Sequence, residues 1–283
     1  MAKFYTKEEI EFLKENAPKF GVKICAEKLN KSEHSVYAKL NRLSIKPGID
    51  PNITQKDIDN LIFESSFKEL NINFNITKFP KETAYFMGFF WADGYIKNKE
   101  LTIEIIEEDG KVLEPIFDRI ATFSKYYRSR EGRKQQMTFR FNSDEVAKLF
   151  ISLGKYPKST ESHEKILKHI PKEYHVYFLR GLIDGDGCWY YNEHNTQFSI
   201  TSSLNSDWSF LVNYLKENLN FNCTTNIQSN TISTSNSSSK IRNSNPSEIY
   251  NFIRYLYKIK DGIWLERKYQ KTQYILKNEN GNC

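Results

Sequence analysis

The sequence predicts an α+β fold that contains two tandem, pseudo-symmetric αββαββα repeats, preceded by a small all-helical domain. Three observations support this prediction. Two apolar segments, residues 85–94 and 178–187, have the character of helices and end in the same Asp-Gly pair. After each segment, strand-like and helix-like patterns follow in the same order. A similar capping sequence then precedes a later helix in each copy.

The first 48 residues are expected to form a separate three-helix domain. Thr6 and Glu9 have the spacing of a capping box before a first helix, Gly21 interrupts the helical pattern, and Ser32 can cap a third helix. A short helix, a tight turn and another helix are typical of a helix-turn-helix domain, whose last helix enters the major groove. Its predicted DNA contacts are His34, Ser35, Tyr37, Lys39 and Arg42. A helical bundle for protein contacts is the alternative.

Residues 49–82 are interpreted as a connector. A helix is expected from Thr54 to Phe67, followed by an Asn-rich extended stretch that would lie along DNA or serve as a tether. The predicted domains are therefore 1–48 (helix-turn-helix), 49–82 (connector) and 83–283, with the two repeats at 83–170 and 171–283.

Each repeat continues with the same elements after its Asp-Gly pair. In the first, strands are expected at 101–105, 125–129 and 136–141, with helices at 112–120 and 145–153. In the second, strands are expected at 197–202, 223–228 and 238–243, with helices at 206–219 and 246–256. The capping pairs are Asn142 with Glu145 and Asn245 with Glu248. The Ser-rich residues 229–239 predict a long hairpin loop.

The two segments that end in Asp-Gly carry the strongest functional signal. Each has small residues four positions apart, which share one helix face and let two backbones approach closely: Gly88 and Ala92, Gly181 and Gly185. The glycine after each helix is expected to be a left-handed stop. If the helices pack face to face, Asp93 and Asp186, which lie 186 − 93 = 93 residues apart, meet where both helices end. Adjacent carboxylates repel each other and the helix dipole, which indicates a cation between them.

Composition excludes several classes of protein. With 283 residues, the chain is long enough for a large core. Its 41 Lys and Arg exceed 35 Asp and Glu, so the net charge of +6 only slightly favours a nucleic-acid partner. The four cysteines are scattered without a Cys-x-x-Cys pair, which disfavours zinc and disulfides and favours a reducing cytoplasm. No leader and no apolar run of about 18 residues is apparent, so we expect neither export nor membrane insertion.

The two segments resemble the signature motifs of single-chain LAGLIDADG homing endonucleases. The second, Leu-Arg-Gly-Leu-Ile-Asp-Gly-Asp-Gly at 179–187, is close to the family pattern; the first, Phe-Met-Gly-Phe-Phe-Trp-Ala-Asp-Gly at 86–94, has Trp91 where the family has its first acid. The second acid, which binds metal in the family, is present in both copies. The N-terminal domain resembles the helix-turn-helix modules appended to phage and bacterial mobile endonucleases.

This resemblance implies a saddle of antiparallel sheets and a monomeric enzyme that cuts both strands of double-stranded DNA at a specific site. Mg²⁺, or Mn²⁺ in its place, would be held by Asp93 and Asp186 with the main-chain carbonyls of Ala92 and Gly185; no other cofactor is implied. Oxygen-ligated divalent cations activate water and relieve charge in phosphodiester hydrolysis. The expected location is the cytoplasm of a bacterial or phage-infected cell, or an organelle.

The resemblance also implies a catalytic cation after the last helix of each repeat. The candidates are Lys158 and Lys268, with Lys155 and Arg267 as alternates. A lysine is a flexible point charge that can contact hydroxide or phosphate, although a solvated surface role is equally ordinary. Asp184 is interpreted as a helix-end or supporting acid rather than as a metal ligand.

Polar positions on the strands and hairpins of both repeats are expected to contact DNA. Arg, Gln and Asn can pair with base edges, whereas Lys favours phosphates. In the first repeat these residues are Lys97, Lys99, Lys125, Arg128, Arg130, Arg133, Gln136 and Arg140. In the second they are Asn192, His194, Gln197, Asn226, Gln228, Lys240 and Arg242. A solvated sheet face shows the same alternation.

The functional prediction is a site-specific, Mg²⁺-dependent DNA endonuclease. The alternative keeps the fold without the cutting, as a DNA-binding regulator or an RNA-splicing maturase. Retention of both Asp93 and Asp186 favours the enzyme.

Overall fold

The computed structural model describes residues 5–29, 31–48, 79–129, 131–132, 134–155, 162–204, 206–228 and 238–279. The chain divides into two compact units. The described part of the first contains residues 5–29 and 31–48 and the short segment 169–171, and the second contains the other described residues. The helix predicted at 54–67 lies outside the described residues. None of the described helices is both long enough and apolar enough to cross a membrane.

The first unit contains α1 (Lys7–Lys28) and α2 (Glu33–Arg42). Thr6 and Glu9 form the predicted capping box, and Ser32 caps α2 by accepting from the amide of Ser35. Gly21 has φ 78°, so α1 consists of two helical stretches that meet at a kink, as the sequence predicted. A buried apolar cluster joins the helices: Leu13, Ala17, Cys25, Ala26, Val36 and Leu40.

The second unit contains two halves with matching element orders. The first half has α3 (Pro80–Asp93), β1 (Gly94–Lys97), β2 (Glu100–Ile106), α4 (Glu107–Ile120), β3 (Ser124–Arg128), β4 (Gln136–Asn142), α5 (Asp144–Ser152) and α6 (Glu164–Lys168). After a 3₁₀ turn at Lys172–Tyr174, the second half has α7 (His175–Asp186), β5 (Gly187–Asn192), β6 (Asn195–Ser203), α8 (Ser209–Leu219), β7 (Thr224–Gln228), β8 (Ser238–Asn243), α9 (Pro246–Leu256) and α10 (Glu266–Lys277).

Each half forms one four-stranded antiparallel sheet. The strand orders are β1-β2-β4-β3 and β5-β6-β8-β7, so the two sheets have the same topology. Helices cover one face of each sheet, where aromatic side chains fill the core. Phe117 of α4 meets Phe139 of β4 edge-on at 5.2 Å, and Phe252 of α9 stacks on Phe221 at 4.3 Å. The predicted α+β fold with tandem repeats is confirmed.

The capping prediction is correct in only one half. Asn245 caps α9, and Pro246 occupies the first turn of that helix. In the first half, Ser143 is the cap of α5, since its side chain accepts from the amide of Val146, and Asn142 is the last residue of β4. The prediction of Asn142 was therefore wrong by one residue.

Candidate active site and nucleic-acid surface

The two motif helices, α3 and α7, pack against each other at their glycines. A Cβ on Gly88 would lie 2.0 Å from the carbonyl oxygen of Phe178, and a Cβ on Gly181 would lie 2.0 Å from the carbonyl oxygen of Tyr85. No side chain fits in either place, so the backbones approach each other as the sequence predicted. This contact brings the C-terminal ends of α3 and α7 together.

The glycines after the two helices are needed for space rather than for a left-handed turn. Gly94 has φ −76° and Gly187 has φ −79°, both in extended backbone. A Cβ would lie 2.5 Å from the carbonyl oxygen of Phe90 at the first site and 2.5 Å from that of Ile183 at the second. The expected left-handed stop was therefore wrong, and each helix continues directly into the first strand of its half.

Asp93 lies at the contact between the two helix ends. Its carboxylate oxygen Oδ2 is 3.4 Å from the point where a Cβ on Gly185 would stand, in the residue just before Asp186. The surrounding protein raises the pKa of the Asp93 carboxyl, and the positive charges of Lys268, Lys155 and Arg267 oppose that rise. The two predicted ligands therefore end their helices next to each other, one from each half.

This set of groups fits an oxygen-ligated divalent cation. Two carboxylates and nearby main-chain carbonyls are the hard donors that Mg²⁺ prefers. No cluster of three or more His, Cys, Asp or Glu side chains suited to a metal exists among the described residues, so a cation here would rely on Asp93, Asp186, carbonyls and substrate. The carbonyl of Ala92, in the last turn of α3, belongs to the same helix end as Asp93.

Lys268 closes the end of α7. The residue is buried, and its amine donates to the carbonyls of Ile183 (2.8 Å), Gly185 (3.1 Å) and Gly187 (2.8 Å). Burial lowers the pKa of Lys268, while the carboxylates of Asp184, Asp93 and Asp186 oppose that change. The predicted cation thus stands among three acids, but its protons point at main-chain oxygens, including the Gly185 carbonyl that was predicted as a metal ligand.

Lys155 has the corresponding place in the first half. This buried lysine donates to the carbonyl of Trp91 at 2.5 Å, near the end of α3. Its amine also lies 5.9 Å from the centre of the Phe90 ring. The preferred candidate, Lys158, lies outside the described residues. Of the two, the alternate Lys155 is among the described residues, and it lies at the first helix end.

Asp184 is a buried acid that joins the two halves. Its Oδ2 accepts from the hydroxyl of Tyr85 in α3 (2.8 Å) and from the amide of Leu265 just before α10 (2.7 Å). Desolvation raises the pKa of Asp184 to about 6, against the lowering effects of Lys268 and of its hydrogen bonds. Both of these hydrogen bonds go to Oδ2, and Oδ1 is buried without a hydrogen-bond partner among the described residues.

Arg267 carries a half-exposed guanidinium beside the helix ends. Its Nε lies 2.9 and 2.7 Å from the two oxygens of Asp109, a buried acid in the first turn of α4. The pair links the second half to the first. A recess of about 260 Å³ opens next to it, lined by Gly187, Cys188, Trp189, Arg267, Lys268 and Lys271. Asp109 was missed in the sequence because a single acid at a helix start is common.

The strands of the first sheet place most of the predicted DNA contacts on one face, opposite the helices, which we call the first open face. It includes Lys97, Arg128, Gln136 and Arg140, while Lys99 lies in the hairpin turn. The charges on this face are accompanied by acids: Arg140 is 3.7 Å from Glu100, and Arg128 is 3.9 Å from Glu104. Arg140 also lies over the Tyr126 ring at 4.9 Å.

Lys125 is a correction to the predicted surface. It pairs with Phe139 in the sheet register and therefore faces the helices. Its amine bonds Glu114 at 2.8 Å and Asp118 at 2.6 Å, both on α4. The alternation of residues along β3 separates its two faces, but the sequence did not show which of these faces lies against α4. Arg130 and Arg133 lie outside the described residues.

The second sheet places the other predicted contacts on a corresponding second open face. Its members are Asn192, Gln197, Asn226, Gln228, Lys240 and Arg242, with His194 in the β5–β6 turn. Among the described strand positions on this face, none is acidic. The surface therefore presents amides and hydroxyls with two cations, whereas the first open face mixes both signs of charge.

In the N-terminal unit, the predicted contacts divide between two sides of α2. His34, Tyr37 and Arg42 are exposed, as is Asn41, which was not predicted. Ser35 and Lys39 are only half-exposed and contact Tyr5: its hydroxyl is 3.1 Å from the Ser35 hydroxyl, and the Lys39 amine is 5.5 Å from its ring centre. These two side chains therefore help to fix the start of the chain on α2.

Several solved structures are similar to this chain at low sequence identity. The homing endonuclease I-WcaI bound to its DNA recognition sequence is 19% identical, with a TM-score of 0.48 over 81% of this chain and 95% of that chain. I-DmoI in complex with DNA and Ca is 11% identical, with a TM-score of 0.44 over 69% and 97%. Full-length DUF199/WhiA from Thermatoga maritima is 13% identical, with a TM-score of 0.41 over 78% and 66%.

No family model and no curated protein matches the sequence. The fold is nevertheless defined by this structure itself: two halves of equal topology, and motif helices that meet at glycines and end in aspartates. The second unit therefore has the two tandem αββαββα-like halves that the sequence predicted.

Proposed function

We propose that this protein is a site-specific, divalent-cation-dependent DNA endonuclease. One observation carries the proposal: α3 and α7 approach so closely at Gly88 and Gly181 that their C-terminal ends, which carry Asp93 and Asp186, meet beside the buried amine of Lys268. A pair of acids at two helix C-termini is unfavourable without a cation. A structural core has no use for such a pair, whereas phosphodiester hydrolysis does.

Asp93 and Asp186 would hold Mg²⁺ or Mn²⁺, together with main-chain carbonyls such as that of Ala92. When bound, the cation supplies an activated water and relief of negative charge on the phosphate. Lys268 and Lys155 lie near the two helix ends, where their positive charges oppose the rise in the pKa of Asp93 that burial causes. Arg267, anchored by Asp109, offers its exposed guanidinium to a phosphate of the bound strand.

Both open faces lie on the strands that follow the two motif helices, and they supply the DNA surface in this proposal. Arg140 and Lys97 on the first face suit phosphates and guanines, and the amides of the second suit adenines. The partner is double-stranded DNA, with one chain supplying both halves. Cys25, Cys188 and Cys223 are free thiols, which fits a reducing compartment such as the cytoplasm.

Selection from a random DNA library tests the proposal directly. The full chain is incubated with the library in Mg²⁺, in Ca²⁺ and in EDTA, and cleaved molecules are sequenced. We expect one family of cleaved sites in Mg²⁺, binding with little cleavage in Ca²⁺, and no cleavage in EDTA. Cleavage of the same site in EDTA would contradict a metal held by Asp93 and Asp186.

A chain that enriches one DNA site but never cuts it would instead be a DNA-binding regulator. Enrichment of a structured RNA without DNA binding would identify a maturase. The engagement of the Gly185 carbonyl by Lys268 is the feature that a non-cutting protein would explain best. The same DNA library, recovered by binding rather than by cleavage, identifies a regulator, and a parallel selection from a random RNA library identifies a maturase.

We also propose that the N-terminal unit contacts DNA through the exposed side of α2. Tyr37 is 51% exposed there, beside His34, Asn41 and Arg42. Residues 19–48 contain seven Lys and Arg but two Glu, and such an excess of positive charge suits an anionic partner. A second contact tethered to the same chain raises the local concentration of the nuclease on DNA.

A further inference from the structure

The second motif helix has two buried charged residues where the first has apolar ones. Arg180 and Asp184, four positions apart on α7, correspond to Met87 and Trp91 on α3, because the two motifs are offset by 93 residues. Arg180 and Asp184 are each 1% exposed. Buried charges are costly unless they are fully paired, so their presence in only one of two matching helices requires a reason.

Both side chains hold the same piece of the chain. Arg180 donates to the carbonyls of Leu256 (2.5 Å) and Ile259 (2.9 Å) and to the carboxylate of Asp261 (2.8 Å). Asp184 accepts from the amide of Leu265 (2.7 Å). Together they fasten the connection between α9 and α10 to α7.

The fastened connection leads into the residues at the active centre. Leu265 is the N-cap residue of α10, which begins at Glu266. Arg267 and Lys268 follow in the first turn, where Lys268 returns to the carbonyls at the end of α7. The position of Lys268 is therefore fixed from both ends, by its amine and by the segment that precedes it.

A partner on α3 completes the arrangement and is also specific to one half. The hydroxyl of Tyr85 donates to Asp184 at 2.8 Å. The counterpart of Tyr85 in the second helix is Phe178, which has no hydroxyl, and the counterpart of Asp184 is Trp91, which has no carboxylate. Tyr85 and Asp184 therefore form a polar pair, whereas their counterparts, Phe178 and Trp91, are both apolar.

We propose that Arg180 and Asp184, with Tyr85, are positioning residues that hold residues 256–268 on the end of α7 and thereby set the place of Lys268 beside Asp93 and Asp186. At the matching positions of the first half, Met87 and Trp91 have no charged group that could make these contacts. The two halves of the active centre therefore depend on different supports, and loss of the clamp affects one strand of the substrate more than the other.

Hydrogen exchange tests the clamp without any catalytic activity. The full chain, free of DNA and metal, is compared with Tyr85→Phe and Asp184→Leu by peptide-resolved mass spectrometry. Exchange in residues 256–268 is expected to rise at least about tenfold in Asp184→Leu, since the Leu265 amide loses its acceptor, and less in Tyr85→Phe. Helix α5 in the first half serves as the internal reference. Unchanged exchange at 256–268, or an equal rise in α5, would overturn the proposal.

Strand-resolved cleavage provides the second arm, which rests on the proposed nuclease activity. A duplex with a different label on each strand gives two nicking rates in single turnover. In Tyr85→Phe, which keeps shape and volume, one rate is expected to fall about tenfold relative to the other. Met87→Leu, a volume-matched change at the counterpart of Arg180, is expected to leave the ratio unchanged.

Equal slowing of both strands in Tyr85→Phe would overturn a one-sided clamp. Arg180→Lys and Arg180→Met add a rescue comparison: the lysine retains one donor and should restore part of the ratio that the methionine loses. If the unaltered chain nicks neither strand, the proposed nuclease function fails, and the exchange experiment decides the clamp by itself.

Discussion

The two halves of the second unit have the same strand order but support their motif helices differently. In the second half, Arg180 and Asp184 bind the chain that leads to Lys268. In the first half, Trp91 takes the place of the acid and packs 5.8 Å from the His163 ring. The close packing of the motif helices at their glycines is therefore compatible with either polar or apolar neighbouring side chains. Both halves share the helix end and its aspartate.

The two open faces also differ from each other. The first carries arginines near acids, and the second carries amides without acids at its described strand positions. An arginine that is oriented by a carboxylate and an aromatic ring is suited to a fixed contact, while amides read base edges by their own donors and acceptors. We therefore expect the two halves to share the chemistry of cutting but to divide the reading of the target.

The largest expected effect concerns the feature that both halves share, the aspartate at the end of each motif helix. Asp93→Asn and Asp186→Asn each remove one ligand charge and should reduce double-strand cleavage about a thousandfold, since a metal contributes several kcal/mol to the transition state. Residual nicking of one strand would fit two coupled sites. Asp118→Asn, which removes an exposed acid on α4, is the control. Wild-type cutting of both strands by either variant would make that aspartate structural.

A second prediction concerns His163, which packs against the apolar side chain of Trp91 in the first half. His163 lies between Trp91 and Trp208, with ring centroids at 5.8 Å on each side. Desolvation lowers the pKa of His163 to about 4 from 6.5. The unfolded chain therefore binds the proton more readily, and His163 contributes stability above pH 6.5 that is lost as the pH falls towards 4. At about 1.4 kcal/mol per pH unit, the loss is on the order of 3 kcal/mol.

Urea unfolding at pH 7, 5.5 and 4 measures this effect. His163→Phe should remove this part of the pH dependence, and His194→Gln, in an exposed turn, should not. Asp184 acts in the opposite direction, because burial raises its pKa to about 6 and folding favours its protonated form, so its contribution falls as the pH rises. Asp184→Asn should remove that opposing part. Parallel curves for His163→Phe and the unaltered chain would contradict the assignment.

A third prediction separates the two open faces. Arg140→Gln should weaken binding to a selected site and reduce the dependence of affinity on salt by about one phosphate contact. Asn226→Ala should leave the salt dependence unchanged and relax discrimination at one base pair by about 1–3 kcal/mol. Affinities for the site and its single-base variants, measured at three salt concentrations, distinguish these results. The same salt response in both variants would mean that the faces do not differ in this way.

Much of the fold was predictable because its signals are local. The small residues four apart, the Asp-Gly ends and the Thr6, Ser32 and Asn245 caps each reflect a contact within one helix or between two similar ones. The errors have the same origin. Ser143 and Asn142 are both good caps, and only the end of β4 decides between them. Gly94 is needed for space beside Phe90 rather than for a left-handed turn, which spacing alone does not show.

The supports of the site were less predictable because they join distant segments. The contacts of Arg180 with Asp261 and of Arg267 with Asp109 cross 81 and 158 residues. The sequence did contain one usable signal: alignment of the motifs places Arg180 opposite Met87 and Asp184 opposite Trp91. Lys268 was found by its position after the last helix, but its three carbonyl partners became apparent only in the folded chain.

The smallest expected effect concerns the N-terminal unit, where charge is again divided between two regions. Acids dominate the first turns of α1, and basic residues dominate the chain from Lys19 to Lys46. Arg42→Gln in the full chain should weaken DNA binding a few-fold and slightly reduce its salt dependence, because one exposed phosphate contact is lost. Lys14→Gln removes the same charge from the acidic region, where Lys14 pairs with Glu11 at 2.7 Å, and should change neither.

Deletion of residues 1–48 extends this test. It should shorten the DNA footprint at one end only, because the unit occurs once in the chain, and the remaining chain should still cut at high protein concentration, because Asp93, Asp186 and Lys268 all lie beyond it. Affinity is measured by titration across salt concentrations and the footprint by nuclease protection. If Arg42→Gln and Lys14→Gln bind alike and the deletion leaves the footprint unchanged, the exposed side of α2 does not touch DNA, and its Tyr37 and Asn41 would then be available for a protein partner.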